Sequence, residues 1–264
     1  MKTNVQLAQT EAWEIYSQIM DYTYEIKVYV PDEEPPEKGF PVYYLLDGND
    51  YFQFGRDIVM LQSRNTQKTA ISPAIVIGIG HKHLEERVKM RFYDFTPPAP
   101  QYVYPDRIKE KNLNLGKHGG AEKFLTFLES ELLPIISKTY HIDREKQALF
   151  GHSLGGLFVL WTLFTRQELF QVYLASSPST WWNDYEIRKY AEKFYEKKIN
   201  VDRKLFVSVG SEEMFMVEDA KQIVSSLNAH NIKKLHKSIY VAQDENHASV
   251  VPTIMSRAFR FATF

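Results

Sequence analysis

The sequence contains no cysteine among its 264 residues. Disulfide bonds, thiolate metal sites and a cysteine nucleophile are therefore all excluded. The N-terminal stretch lacks an apolar core of signal-peptide length, and no run approaches the roughly 18 apolar residues that a membrane helix needs. We therefore expect a soluble protein of the cytoplasm, a compartment whose reducing conditions suit a chain without disulfides.

An excess of charge of either sign is also missing. The chain has 32 lysines and arginines against 33 aspartates and glutamates, and its formal net charge is −1. No global basic field favours nucleic acid or an anionic membrane, so any charged ligand must meet a local patch. No spacing of histidines and carboxylates matches a metal-ligand set, and we expect neither a metal nor another cofactor.

The order of apolar runs and helical patterns predicts the fold class. Residues 12–30 are rich in aromatic and β-branched side chains and predict two antiparallel strands. VYYLLDG and AIVIGIG are short apolar runs of the kind that form strands buried in a parallel sheet. From residue 119 onward such runs alternate with helical spacing, which indicates βα units.

These patterns predict an α/β fold whose sheet is mostly parallel, with antiparallel N-terminal strands and helices on both faces. No linker interrupts the chain, so we expect residues 1–264 to form a single domain. Residues 81–118 show little periodicity and several prolines, and we expect a long irregular excursion there. Loops of such length in compact domains are usually functional or mobile.

The segment GHSLG, residues 151–155, fits the pattern G-x-S-x-G between a predicted strand and a predicted helix. A sharp turn there would strain the backbone of Ser153 and lift its hydroxyl to the positive end of the helix. The N–H of Leu154 would then face an oxyanion formed at the serine. We expect side chains at Gly151 and Gly155 to clash with the neighbouring elements. The alternative is a glycine-rich turn that only packs helix on strand.

A serine nucleophile needs a base, and in this architecture the partners follow in the order serine, acid, histidine. Three histidines lie C-terminal to the serine: His230, His236 and His247. His247 comes directly after the last predicted strand, where a loop at the carboxyl edge of the sheet would carry a base. We therefore predict His247 as the base, the alternative being a histidine on a surface loop.

The acid should lie after the penultimate strand, where VGSEE provides Glu212 and Glu213. Its task would be to hold the imidazole tautomer and to stabilise the imidazolium. We favour Glu213, with Glu212 next. The alternative is that both glutamates cap a helix and that the site is a Ser–His dyad.

A second oxyanion donor should come from the loop after an earlier strand. In LLDGNDYF, Gly48 allows close approach of the backbone, and the N–H of Asn49 is our candidate. The alternative is an ordinary Asp-Gly turn.

Six segments occur in an order that resembles the family of α/β-hydrolases named putative esterases: LLDGNDYF, RFYDFTP, GHSLGGLF, SPSTWW, VGSEE and ENHASVVP. Within that family the chain is most similar to esterases that open catecholate trilactone siderophores such as enterobactin and bacillibactin. The resemblance extends from about residue 12 to the end. It implies an α/β-hydrolase fold without a large lid domain, and cleavage of siderophore esters after iron uptake. It also implies Ser153 as nucleophile and His247 as base, and it leaves the acid open because some relatives resemble dyads.

A ferric tris-catecholate is a bulky aromatic anion that calls for aromatic walls and local cations. Trp181 and Trp182 could stack on catechol rings, unless at least one is buried in the core. Arg87 and Arg91 are four residues apart and could share a helical face that binds anionic oxygens. The alternative for the arginines is a solvated charged loop. We expect Asp94 to shape this loop by pairing with an arginine, and not to catalyse.

The leading hypothesis is a serine esterase acting on a small-molecule ester, without cofactor, nucleic acid or membrane as partner. The runner-up is a carboxylesterase with the same chemistry that acts on other small acyl esters. A third hypothesis, from a different class, is a non-catalytic protein that keeps the fold and sequesters a ligand.

Overall fold

The computed structural model describes residues 6–104, 106, 115–196, 202–230, 232 and 234–264. Its strands are β1 (Thr10–Ser17), β2 (Tyr22–Tyr29), β3 (Phe40–Leu46), β4 (Ile75–His81), β5 (Ile142–His152), β6 (Val172–Ser176), β7 (Arg203–Gly210) and β8 (Leu235–Ala242). Its α-helices are α1 (Gly48–Gln62), α2 (Thr66–Thr69), α3 (Arg87–Asp94), α4 (Ala121–Phe127), α5 (Leu133–Thr139), α6 (Leu154–Thr165), α7 (Trp182–Tyr185), α8 (Ile187–Tyr195), α9 (Phe215–Ala229) and α10 (Val250–Ala262). A 3₁₀ turn covers Ser63–Asn65, and a π-helical turn covers Leu128–Leu132.

The strands form one sheet in the order β1-β2-β4-β3-β5-β6-β7-β8. β1 pairs with β2 and β2 with β4 in antiparallel fashion, whereas every pairing from β4 to β8 is parallel. The predicted mixed sheet is thereby confirmed. The strand order reverses beside β3, which lies between β4 and β5. In open α/β sheets, ligands bind at the carboxyl edge near such a reversal.

Helices cover both faces of the sheet, as predicted, because the central strands bury side chains on both sides. In β3, Val42 and Tyr44 contribute to one core while Tyr43 and Leu45 contribute to the other. The first core contains α4, α6, α8 and α9, and the second contains α1 and α10. The first eleven residues of α6 are all buried, as expected for a helix that is apolar on every side.

Residues 81–118 are more regular than predicted, because α3 forms there. This helix is only eight residues long and rich in charge, so apolar periodicity was a weak signal for it. Residues 105 and 107–114 of the same segment lie outside the described residues. Among the described residues, no helix combines the length and the apolar character needed to cross a bilayer.

The turn from β5 into α6 depends on close approach of main chains. A Cβ added at Gly151 would lie 2.3 Å from the carbonyl oxygen of Gly155, so the expected clash at Gly151 is confirmed. The expected clash at Gly155 is wrong, since its added Cβ would meet nothing nearer than 3.5 Å. The tight position is instead Gly156, whose added Cβ would lie 2.7 Å from the carbonyl oxygen of Ser176. α6 therefore rests on the end of β6 at Gly156.

Asp94 is fully buried and pairs with none of the arginines that the structure describes, so the expected arginine partner is wrong for this part of the chain. The hydroxyl of Tyr24 donates to its Oδ2 at 2.9 Å, and Nε2 of His81 lies 4.0 Å from the same oxygen. Burial raises the pKa of Asp94 well above its ordinary value, although the Tyr24 hydrogen bond opposes this. Burial also lowers the pKa of His81 to about 4. Both shifts favour the uncharged forms of these two side chains.

Replacing Gly155 or Gly156 by alanine provides a matched pair. We expect Gly155→Ala to change the free energy of unfolding by no more than about 1 kcal/mol, because the added methyl makes only ordinary contacts. We expect Gly156→Ala to destabilise by about 1–3 kcal/mol or more, because its methyl overlaps a main-chain oxygen. Urea unfolding of both variants measures the difference, and equal effects would contradict the assignment of the contact to Gly156.

Asp94→Asn should remove a pH-dependent instability. The pKa of Asp94 is raised in the folded state. Its contribution to the free energy of unfolding is therefore fully present below the pKa of the unfolded chain, and it is lost as the pH rises toward the folded-state pKa. Between these two pKa values, the free energy of unfolding of the variant should therefore rise relative to that of the wild type by about 1.4 kcal/mol per pH unit. Unfolding free energies measured between about pH 5 and pH 8 test this. Parallel pH dependences for the two proteins would show that Asp94 is ionised when folded.

Candidate active site

Ser153 occupies the turn between β5 and α6 with a φ of 60° and a ψ of −116°. Residues other than glycine rarely adopt a positive φ. The neighbouring segment holds this conformation: the Ser153 N–H donates to the carbonyl of Ser176 at 3.0 Å, and the Ser179 N–H donates to the Ser153 carbonyl at 3.0 Å. The serine hydroxyl is consequently presented at the N-terminus of α6.

The structure brings Ser153, His247 and Glu213 into one line of contacts. Oγ of Ser153 lies 3.0 Å from Nε2 of His247, and Nδ1 of His247 lies 2.6 Å from Oε2 of Glu213. His247 follows β8 and Glu213 follows β7, so the residues meet at the carboxyl edge of the parallel part of the sheet. The serine is partly buried, the imidazole is 44% exposed and the carboxylate is 1% exposed.

The environment of Glu213 keeps its carboxylate ionised. Its Oε1 accepts hydrogen bonds from the hydroxyl of Ser177 at 2.5 Å and from the N–H of Gly210 at 2.7 Å. Burial opposes ionisation, but the hydrogen bonds from His247, Ser177 and Gly210 together lower the pKa of Glu213 below its ordinary value. A buried carboxylate opposite Nδ1 favours the tautomer that carries its proton there and leaves the Nε2 lone pair facing Ser153.

Glu212 does not take part in this arrangement. Its side chain is exposed, and within the described part of the chain only its main-chain N–H is engaged, by the carbonyl of Glu245 at 3.0 Å. Neither glutamate side chain caps α9, whose N-cap residue is Met214. The two adjacent carboxylates thus differ in environment, since that of Glu213 is buried against His247 and that of Glu212 is exposed. The sequence contains no signal for that choice.

The two predicted oxyanion donors lie at helix starts. Leu154 is the first residue of α6, where N–H groups have no acceptor within the helix. Asn49 lies in the first turn of α1, directly after β3. Its side-chain amide is occupied, since Oδ1 accepts from the N–H of His81 at 2.7 Å and Nδ2 donates to Glu25 at 3.2 Å. The predicted role of Asn49 therefore falls on its main-chain N–H alone.

The predicted arginines do share a face of α3, but each binds a carboxylate near the start of α1. Arg91 donates to both oxygens of the buried Asp47, at 2.5 and 3.0 Å. Arg87 donates to Asp50 at 2.6 Å, and both of these side chains are partly exposed. The structure thus does not bring Arg91 to the site as an unpaired cation. Arg87 stays a predicted ligand, because exposed ion pairs are weak and an anion can compete for it.

Trp182 is buried, with an exposed fraction of 2%, so the prediction that it stacks on a substrate is wrong. Four rings surround it at centroid distances of 5.4–6.0 Å: Phe92, Tyr102, Tyr104 and His118. Trp182 therefore anchors the segment that follows α3. Trp181 is only partly buried and stays a predicted contact for the substrate.

Three further polar side chains lie around the serine and its partners. Sequence reasoning predicts that one of them, His152, helps to shape the turn, but it missed Ser177 and Ser179. Ser177 holds Glu213, Ser179 Oγ lies 3.3 Å from Ser153 Oγ, and the ring of His152 lies 4.5 Å from the ring of His247. The serines directly follow β6, which is adjacent to β5 in the sheet. The rule that loops at the carboxyl ends of parallel neighbours converge would have pointed to both serines.

Comparison with known proteins agrees with this geometry. The family described as "Putative esterase" matches residues 17–257. The ferri-bacillibactin esterase of Bacillus subtilis (strain 168) is 37% identical over 259 residues, which is 96% of this chain and 89% of that protein. A siderophore enterobactin esterase of Emericella nidulans is 32% identical over 285 residues, covering 95% of this chain and 92% of that one.

A solved structure is also similar over the whole chain. The BES protein from Bacillus cereus superposes with a TM-score of 0.93 at 40% identity, covering 100% of this chain and 99% of the other. The resemblance that the sequence segments indicated is therefore confirmed. The chain belongs to this esterase family, whose chemistry is that of serine hydrolases.

Proposed function

We propose that this protein is a serine esterase that hydrolyses the ester bonds of a catecholate trilactone siderophore and so releases its iron. The observation that carries the catalytic part is the unbroken line of contacts from Ser153 through His247 to Glu213, at 3.0 and 2.6 Å. The cytoplasm is the compartment we propose for the reaction, because a chain without cysteine is suited to reducing conditions.

In the first half of the reaction, Oγ of Ser153 attacks the ester carbonyl carbon while Nε2 of His247 takes the hydroxyl proton. The carbonyl π electrons move to oxygen, and the main-chain N–H groups of Leu154 and Asn49 stabilise this oxyanion. When the intermediate collapses, the bond to the alcohol oxygen breaks and His247 returns the proton to that oxygen. In the ring-opening step the new hydroxyl group stays at the far end of the acyl chain bound to Ser153, whereas in the later cleavages of the linear esters the alcohol leaves as a separate product.

In the second half, water replaces the alcohol and the same steps run in reverse. His247 takes a proton from water, the resulting hydroxide attacks the acyl carbon, and the proton returns to Oγ of Ser153 as the acid leaves. In both halves His247 becomes positively charged. The buried, ionised Glu213 stabilises that charge and holds the ring in its productive orientation.

The substrate class is supported by the relatives. A ferri-bacillibactin esterase and a siderophore enterobactin esterase are 37% and 32% identical over nearly the whole chain. The partly exposed Arg87 offers a cation for catecholate oxygens, and Trp181 offers a ring for stacking. Iron enters this proposal as part of the substrate.

Ser153→Ala tests the nucleophile and the substrate together. The wild-type protein is incubated with a ferric catecholate trilactone, with the same trilactone free of iron, and with p-nitrophenyl acetate, and the products are separated by chromatography. We expect ordered opening to linear trimer, dimer and monomer. In the variant we expect a loss of about 10⁶-fold in kcat, because alanine has no hydroxyl that could form the acyl intermediate.

Turnover of p-nitrophenyl acetate without cleavage of either trilactone would contradict the siderophore substrate and favour an esterase of other small acyl esters. Equal rates for the wild type and Ser153→Ala would contradict the nucleophile. Tight binding of the trilactone by both proteins, with no product, would indicate a sequestering protein.

Glu213→Gln and Glu212→Gln form a matched pair that tests the acid. Glutamine at position 213 removes the charge that stabilises the imidazolium and allows the wrong tautomer, so kcat should fall by about 10²–10⁴-fold. Glu212→Gln should leave kcat near the wild-type value, because that side chain is exposed and holds no partner in the site. Equally small effects in steady-state kinetics would show that Ser153 and His247 work as a dyad.

A further inference from the structure

Beside the base lies another histidine, which is buried and which the proposed mechanism does not use. His152 is the last residue of β5, directly before Ser153, and only 7% of it is exposed. Its ring centroid lies 4.5 Å from that of His247, with 39° between the planes. Its Nδ1 lies 3.0 Å from the hydroxyl of Tyr51 on α1, whose ring meets it edge to face.

The protonation states of this pair follow from burial. Burial, together with the nearby His247 and Arg91, lowers the pKa of His152 to about 3, although Glu213 and the main chain of His247 oppose this shift. Burial likewise raises the pKa of Tyr51 to about 12. At neutral pH a neutral imidazole therefore faces an intact phenol. Since the phenol O–H can donate to Nδ1, the ring proton belongs on Nε2.

The same ring also contacts the base. Nε2 of His152 is buried and has no hydrogen-bond partner among the described residues. The contact with His247 is therefore between the two rings, at a centroid distance of 4.5 Å. The contacts thus run from the Tyr51 hydroxyl to the His152 ring, and from that ring to the ring of His247. They connect α1, β5 and the loop after β8.

We propose that His152 is a positioning residue for His247, and that Tyr51 holds His152 in the tautomer that this task requires. The inference rests on the proposed function, in which His247 is the base. The ring of His152 packs against the base, so it limits the positions that Nε2 of His247 can take relative to Oγ of Ser153. Because His152 is neutral, it does so without repelling the imidazolium that forms during the reaction.

The test compares His152→Leu, His152→Gln and Tyr51→Phe in the full chain. The primary measurement is the rate at which a fluorophosphonate probe labels Ser153, followed by mass spectrometry. In that step the Oγ–P bond forms, the P–F bond breaks, fluoride leaves and the serine proton passes to His247. The rate therefore reports activation of the serine whatever the natural substrate is. Thermal unfolding midpoints and kcat and KM for p-nitrophenyl acetate accompany it.

Leucine removes the ring N–H, and we expect labelling to slow by about 10–100-fold, because small displacements of a base have effects of that size. Glutamine restores an N–H at a similar reach and should bring the rate back to within about threefold of the wild type. Tyr51→Phe leaves the tautomer unfixed and should slow labelling by about threefold or more. The losses should appear in kcat, with KM nearly unchanged.

Wild-type labelling by His152→Leu at an unchanged unfolding midpoint would overturn the inference. Equal losses in the leucine and glutamine variants at unchanged midpoints would do the same, because they would indicate a packing role alone. If both variants unfold, Tyr51→Phe decides, and a wild-type rate there rejects the inference. A wild-type protein that is labelled on Ser153 but cleaves no trilactone rejects only the proposed substrate. A wild-type protein that is not labelled rejects the catalytic proposal and this inference together.

Discussion

Two main-chain hydrogen bonds, one to the last residue of β6 and one from the segment after it, hold Ser153 in a backbone conformation that it would not adopt alone. Everything proposed for the site depends on them, because they aim the hydroxyl at His247. They also explain why Gly156 is tight, since the same approach of α6 to β6 that makes the bonds leaves no space for a methyl group. The strained turn and the close packing at Gly156 therefore have the same cause, which is the short distance between α6 and β6.

Three buried carboxyl groups at this edge of the sheet differ in the partners that surround them. Glu213 is ionised because three hydrogen bonds reach it, and it can stabilise a cation. Asp47 is matched by the fork of Arg91 and so joins α3 to the start of α1. Asp94 accepts a hydrogen bond from Tyr24, but burial outweighs it and raises the pKa of this carboxyl well above its ordinary value. The number and kind of partners, and not burial alone, therefore decide whether the pKa of a buried carboxyl is lowered or raised.

Much of the fold could be predicted, because unbroken apolar runs mark strands such as β3 and β4 whatever surrounds them. The predictions that failed concern contacts between distant segments. Nothing local distinguishes Gly155 from Gly156, or reveals that Trp182 is enclosed by rings from the segment after α3. The choice between the adjacent glutamates depends on contacts with His247 and Ser177, which lie far from Glu213 in the chain. The catalytic roles of Ser153 and His247 stay predictions, although the two side chains lie within hydrogen-bond distance of each other.

β8 lies at the edge of the sheet, and its central residues are only partly buried. It nevertheless carries the loop that holds His247, whereas Ser153, 94 residues earlier in the chain, follows the central strand β5. Edge elements open locally at a smaller free energy than the core. Release of β8 would therefore separate base from nucleophile while the rest of the sheet stays folded. The nucleophile thus belongs to a central strand, and its base belongs to a strand that is expected to open more readily.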